Sequence, residues 1–324
     1  MLAIRVHNPG GVESLMLENI PEPVINENEV LVDLKAIGVN YIDVYYRTGL
    51  YPAPLPFTDG MEGCGIISAV GNGVKGFKVG DRVAYVGVLG AYAEKAAVPA
   101  EKVVKIPDEL SFKEAASAMV QGITAQYLTT STYSLKKDDT CLIHAAAGGV
   151  GLLLCQITQL KGAISIGTVS SEEKAKLAQK VGCQHVIIYT KESFLKRVQG
   201  ITQAKGVQVV YDSVGKTTFA DSLDCLAPRG FMVLFGQSSG VVTPFDLSQL
   251  AVKGSLFITR PGLNSYIATR EELLSRSAEV FSWIISKRMK LNINHEFPLA
   301  QAAQAHRALE SRQTTGKILL IPHE

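Results

Sequence analysis

The chain has 324 residues, 47% hydrophobic and 19% charged, and its 32 basic and 30 acidic side chains leave a formal net charge of +2. That length suffices for two cores, and the near balance of charge excludes a protein that holds nucleic acid or anionic membrane by bulk charge alone. The longest apolar runs, such as Gly151-Leu152-Leu153-Leu154-Cys155, fall far short of the roughly 20 residues that a membrane-spanning helix needs.

Met1 to His7 alternates apolar and polar residues in the manner of a strand and carries no long apolar signal region, so cytoplasmic residence is expected. The first third mixes short β-type runs, Glu29 to Ala36 and Gly65 to Gly71, with glycine and proline punctuation. That texture predicts an irregular β-rich unit. Pro52, Pro54 and Pro56 mark a loop, and helical periodicity is confined to Ser111–Thr129.

From about Asp138 short apolar runs alternate with helix-length amphipathic segments, the rhythm of a parallel sheet covered on both faces. The strands read as Thr140–His144, Ile164–Val169, His185–Ile188, Val207–Tyr211, Gly230–Phe235 and Gly254–Thr259, with helices at Gly149–Lys161 and Glu172–Val181. The fold class is therefore α/β, with a Rossmann doubly wound sheet. After Pro261 come a long helix at Arg270–Arg288, another at Leu299–Ser311 and a strand at Lys317–Ile321. With no sheet of its own, that tail is predicted to pack on the first domain. The five cysteines are scattered and form no C-x-x-C pair, which reads as buried thiols rather than a disulfide framework or a zinc knuckle.

The segment His144-Ala145-Ala146-Ala147-Gly148-Gly149-Val150-Gly151 follows a predicted strand and opens a predicted helix. Against the fingerprint G-x-G-x-x-G it supplies Ala146, Gly148 and Gly151. The physical demands survive the missing first glycine: Gly148 admits a pyrophosphate to the backbone, Gly151 lets helix and strand pack closely, and the helix N-terminus offers N–H donors to an anion. A site preferring NADH places an acid at the tip of the second strand. Here that tip is Val169-Ser170-Ser171, with Lys174 one turn on, so NADPH is favoured, although Glu172 and Glu173 adjoin it.

Six motifs extend the pattern: Gly38 to Asp43, Arg47 to Pro52, Val79 to Val83, Ala145 to Gly151, Val210 to Gly215 and Gly254 to Pro261. Through them nearly the whole chain resembles the zinc-independent NADPH:quinone oxidoreductase (zeta-crystallin-like) branch of the medium-chain dehydrogenase/reductase superfamily. The resemblance implies a GroES-like (chaperonin-10-like) catalytic domain at residues 1–121 and 262–324 and a Rossmann NADPH-binding domain at 122–261. Zinc alcohol dehydrogenases of the superfamily carry Cys and His where this chain has Asn40 and Met61. Neither replaces a thiolate or imidazole as a tight zinc ligand, so no metal is expected. An acceptor that takes hydride readily, such as a quinone, follows from the loss of that Lewis acid.

The resemblance further implies coenzyme contacts from Gly148, Gly149, Val150 and Gly151 at the pyrophosphate. Ser170, Lys174 and Tyr189 fall at the adenosine end, Phe235, Gly236 and Ser238 by the nicotinamide, and Arg260 after the sixth strand. Arg312 matches an arginine directed to the 2′-phosphate. Asn40, Tyr45, Tyr51, Gln121 and Thr124 are the candidates for contact with the acceptor, the tyrosines because they can stack on a planar ring and donate to its oxygen. His144 reads as a hydrogen-bonded structural residue, and Asp43 and Glu62 as structural carboxylates. Two alternatives stay open: a zinc-free NADPH-dependent reductase of enones or enoyl thioesters, and an NADPH-binding protein acting structurally or on RNA. The edge strand Ser255–Thr259 predicts a homodimer paired through it, and nucleic acid and membrane are not expected partners.

Overall fold

A computed structural model describes residues 1–322. The chain divides into two compact units, residues 1–123 together with the C-terminal segment from Tyr266, and Thr124–Ser265.

The first unit is built on a sheet ordered Ile293–Pro298, Lys317–Ile321, Glu29–Val39, Glu62–Val70, Arg82–Val86 and Val103–Lys105, with Lys95–Pro99 also pairing Glu29–Val39. Its neighbours run antiparallel except Ile293–Pro298 beside Lys317–Ile321. Val30, Val32 and Leu34 alternate into the core, as period-two geometry requires. The register against Glu62–Val70 shifts between Leu31 and Val32 and again between Leu34 and Ala36, after which Ile37 and Val39 continue the buried face. The C-terminal strand pairs Ile318 with Val39 and Leu319 with Gly38, which places Lys317 beside the end of the central strand. The tail thus completes this sheet, as its lack of a separate one predicts. A smaller sheet joins Met16–Asn19, Leu2–Val6 and Phe57–Thr58.

Helices depart from expectation in two places. Tyr41–Arg47 is helical, whereas the sequence confined helix to Ser111–Thr129. Seven residues are too few to display a periodicity, and the element is set instead by a capping box between Asn40 and Asp43. The Ser111–Thr129 stretch is two helices, Phe112–Ala118 and Val120–Tyr127, followed by a π-helical turn at Leu128–Thr132.

The second unit holds six parallel strands ordered His185–Ile188, Ile164–Val169, Thr140–Ile143, Val207–Asp212, Leu226–Leu234 and Phe257–Thr259. In chain order this is 3-2-1-4-5-6, the doubly wound arrangement, with its reversal between Thr140–Ile143 and Val207–Asp212. The last strand is shorter than predicted because Gly254 and Ser255 adopt φ of 109° and 56°, which no strand accommodates. Helix Gly149–Leu160 buries eight of its residues, among them Leu152, Leu153 and Leu154.

Candidate active site

The first of two clusters lies at the carboxyl end of Thr140–Ile143, beside the reversal of strand order. His144 is buried, its Nδ1 3.0 Å from Thr168 Oγ1 and its Nε2 2.8 Å from Ser222 Oγ. Burial holds its pKa below the usual histidine range. It therefore braces the turn, the structural role read from sequence. Ala146 N–H donates to Thr168 O (3.0 Å) and Gly148 N–H to Ala145 O (2.8 Å), folding the chain sharply into the helix. A Cβ on Gly151 would overlap Ala145 O and stand 2.8 Å from Ala146 Cα, so only glycine permits this approach of helix to strand.

Gly148 caps that helix without a side-chain hydrogen bond, whereas Ser171 and Ser193 accept the Lys174 and Lys196 N–H groups at the next two helices. The first N–H donors of Gly149–Leu160 thus have no protein side-chain cap, and the fixed partial charge there favours an anion. This is the fit a dinucleotide pyrophosphate requires.

At the tip of the second strand, Ser171 Oγ is engaged as the cap of helix Glu172–Lys180. Ser170 is partly exposed and its carbonyl accepts from Thr190 Oγ1 (3.0 Å). Half-buried Lys174 has its pKa lowered by desolvation. Glu172, of opposite sign, is turned to Lys191 (2.6 Å). Tyr189 is 43% exposed and anchored by its N–H to Val169 O (3.0 Å). Asp212, absent from the predicted set, organises the next loop: its buried carboxylate accepts from Val214 N–H (2.7 Å), Gly215 N–H (3.1 Å) and Thr218 Oγ1 (2.7 Å). The Phe235 and Gly236 N–H groups both donate to Asp212 O, and Ser238 N–H donates to Ser213 O. The loops after the fourth and fifth strands are thereby tied together. Arg260 is exposed after the sixth strand. Arg312 belongs to the first unit, at φ 59° and with its charge acting on Tyr41.

The second cluster lies wholly in the first unit. Asn40, buried, donates from Nδ2 to Glu62 Oε1 (2.7 Å) and accepts at Oδ1 from Lys317 Nζ (3.0 Å) and Gln121 Nε2 (3.4 Å). Lys317 also pairs directly with Glu62, and the two side chains are only 2% and 0% exposed. Glu62 Oε2 takes the Val120 N–H (2.6 Å). Lys317 was not foreseen: a single lysine opening the apolar strand Lys317–Ile321 gives no local sign of its partners, which stand 255 and 277 residues away.

Beside this, Tyr45 and Tyr51 meet edge to face, centroids 5.3 Å apart. Thr124 is buried on helix Val120–Tyr127, at the start of the second unit. Of the five candidates the structure joins Asn40 with Gln121 and Tyr45 with Tyr51. A chain of polar contacts continues inward. Arg47, clamped by Glu310 at 2.8 and 2.9 Å, donates to His306 Nδ1 (3.1 Å). That fixes the tautomer, so His306 Nε2–H donates to Tyr92 Oη (2.9 Å), and Tyr92 donates to Asp43 Oδ2 (3.0 Å). Burial raises the Asp43 pKa to about 7 and lowers that of His306 to about 3.

A metal does not fit here. Asn40 Oδ1 and Glu62 Oε1 already share an ammonium, whose charge repels a cation, and Met61 offers no hard donor. Among the described residues no three His, Cys, Asp or Glu side chains are grouped to hold one.

Residues 26–108 match the alcohol dehydrogenase GroES-like domain and residues 181–320 the zinc-binding dehydrogenase domain. A quinone oxidoreductase of Pseudomonas aeruginosa is 49% identical over 315 residues, covering 97% of each chain. The chain belongs to the quinone oxidoreductase family. Its fold is that of the medium-chain dehydrogenases/reductases. The crystal structure of Escherichia coli quinone oxidoreductase complexed with NADPH superposes with a TM-score of 0.98 at 48% identity, over 99% of this chain and all of that one. A 2-haloacrylate reductase of Burkholderia is 41% identical over 331 residues, 99% of each chain.

Proposed function

We propose that this quinone oxidoreductase-family chain reduces quinones with NADPH, by hydride transfer and without zinc. The observation that carries the reading is the match along nearly the whole chain to a quinone oxidoreductase solved with NADPH. The uncapped helix at Gly148 and the close approach at Gly151 suit the coenzyme's pyrophosphate. Ser170, Lys174 and Tyr189 would hold the adenosine end, with Lys174 supplying positive charge to its 2′-phosphate, and Phe235, Gly236 and Ser238 the nicotinamide end. When bound, NADPH supplies a hydride from its nicotinamide C4.

In this reading the Rossmann unit binds the coenzyme and the GroES-like unit contacts the acceptor. Tyr45 and Tyr51 provide aromatic surface for a planar ring, and Asn40 and Gln121 provide donors for the oxygen on which negative charge develops. Water delivers the one proton that, with the hydride, completes the hydroquinone. Five buried free thiols suit a reducing cytoplasm, and no helix among the described residues is long and apolar enough to cross a membrane. Strand Phe257–Thr259 ends the sheet with Phe257 52% and Ile258 38% exposed, an edge suited to pairing with a second copy. Ile258→Lys should then convert a dimer to a monomer in light scattering; a wild type that is monomeric at assay concentration rules the pairing out.

The Burkholderia relative favours one second reading, reduction of activated alkenes. Measuring NADPH oxidation with 1,4-benzoquinone, larger quinones, cyclohexenone and 2-chloroacrylate in one assay, with and without chelator, separates them. Quinone turnover unaffected by chelator is expected. Absence of turnover across the quinones, with turnover of the alkenes, would replace the first reading by the second.

A further inference from the structure

An asparagine amide can sit in two orientations that exchange its oxygen and nitrogen, and its neighbours decide which is occupied. At Asn40 they admit one. A carboxylate only accepts and an ammonium only donates. Glu62 Oε1 therefore fixes the side next to it as NH₂ (2.7 Å), and Lys317 Nζ fixes the other as carbonyl (3.0 Å). Gln121 Nε2, at 3.4 Å, adds a second donor to the same oxygen. The reversed amide would oppose oxygen to carboxylate and NH₂ to ammonium. Neither ion can swing into water, because both are buried and bonded to each other. Gly38 is matched to them: a Cβ there would stand 2.6 Å from Lys317 Nζ and overlap Glu62 Oε1.

We propose that the Lys317–Glu62 ion pair is a clamp that locks the Asn40 amide in this orientation. One Nδ2–H is held by Glu62, and the other is left to donate to the acceptor oxygen. Lys317 is then a positioning residue of the reduction. Its charge on Oδ1 also polarises the amide, which strengthens the remaining N–H as a donor. The catalytic half of this proposal rests on Asn40 contacting the acceptor, as read above.

The test uses the full chain in two measurements. The Asn40 side-chain amide, assigned by its loss in Asn40→Ala, is followed by ¹⁵N NMR without coenzyme or acceptor. Quinone reduction is followed by kcat and KM. Lys317→Met leaves Glu62 buried without its partner and can fail to fold, so Glu62→Gln/Lys317→Met, which removes both charges, is measured beside it. In the double variant the Asn40 amide resonances should shift and their hydrogen exchange quicken. kcat should fall about tenfold, while KM for NADPH stays unchanged. Lys317→Arg, still a donor only, should restore the wild-type amide signature. A folded double variant with wild-type Asn40 resonances and kcat overturns the clamp. If the wild type reduces no quinone, the functional reading fails, while the NMR comparison still decides the clamp.

Discussion

The two clusters differ in how they are made. The turn at Ala145–Gly151 is one continuous stretch, and what it presents is backbone: N–H groups at a helix start and the absence of a Cβ at Gly151. The Asn40 cluster is made of side chains from strand ends and a helix start, joining residues 40, 62, 120 and 317. The first is braced from within its own unit, by Thr168 and Ser222, while the second exists only once the C-terminal strand has paired with Glu29–Val39. Perturbing the second should therefore cost folding stability, and perturbing the first should cost ligand affinity.

The largest effect is expected at Gly38. Its substitution by alanine drives a methyl group into the Lys317–Glu62 pair. Disrupting a buried ion pair without removing both charges costs about 3–5 kcal/mol. Urea unfolding of Gly38→Ala should show a loss in that range. If it unfolds at the wild-type midpoint, the cluster is not the rigid, coupled unit described here. At Gly151 the same change meets backbone atoms of Ala145 and Ala146. Gly151→Ala should weaken NADPH binding, read by fluorescence titration, by about a hundredfold, equivalent to ~2.7 kcal/mol. Because that overlap is with backbone, which cannot turn aside, unfolding without coenzyme should shift to lower denaturant as well.

The same contrast explains what could be read from sequence. Strands Ile164–Val169, His185–Ile188 and Lys317–Ile321 fall where their apolar runs place them, because buried parallel and central strands are written as continuous β-branched and aliphatic residues. The phosphate turn was legible for the same reason: its glycines answer to backbone geometry that adjacent residues define. Helix Tyr41–Arg47 was not legible, since its stability comes from the Asn40–Asp43 box and from tertiary burial of Val44, Tyr45 and Arg47. Asn40 and Gln121 could be proposed, yet their partner Lys317 could not. An ammonium in an otherwise apolar strand gives no sign of whether it faces water or a carboxylate more than 250 residues earlier. Asp212 lay inside a quoted motif, but its role depends on the loop it gathers, which only coordinates reveal.

Proton linkage separates the clusters further, because the second carries buried titratable groups of opposite effect. The folded-state pKa of His306 lies near 3, below its unfolded value of about 6.5. Its contribution is fully present above that unfolded value and is lost as pH falls. Asp43, raised to about 7, does the reverse: its contribution is present in acid and is lost as pH rises through that value. Asp59, raised by burial and by the charge of Asp43, leans the same way as Asp43. Between pH 7 and pH 5 each of His306 and Asp43 shifts stability by about 2 kcal/mol in opposite senses. Over that range His306→Gln should gain stability relative to wild type as the solution is acidified, and Asp43→Asn should lose it. Denaturant titrations at the two pH values check the signs; parallel behaviour of the two variants contradicts the assigned protonation states.

The smallest effect tests how the coenzyme's charge is read at the tip of the second strand. Lys174 is half-buried and desolvated, which strengthens its attraction for a phosphate, while Ser171 holds the helix start in place through the Lys174 N–H. Lys174→Glu reverses the charge beside the proposed 2′-phosphate position. The ratio of kcat/KM for NADPH to that for NADH should fall by about tenfold, the lower end of a charge-assisted hydrogen bond. Glu172 supplies a graded version of the same experiment. It is exposed and turned toward Lys191, so Lys191→Ala leaves its charge uncompensated. The cofactor ratio should then fall only about twofold, as befits a solvent-screened pair. If Lys174→Glu leaves the ratio unchanged while Lys191→Ala moves it, the lysine that sets preference is the exposed one, and the distinction drawn from burial is reversed.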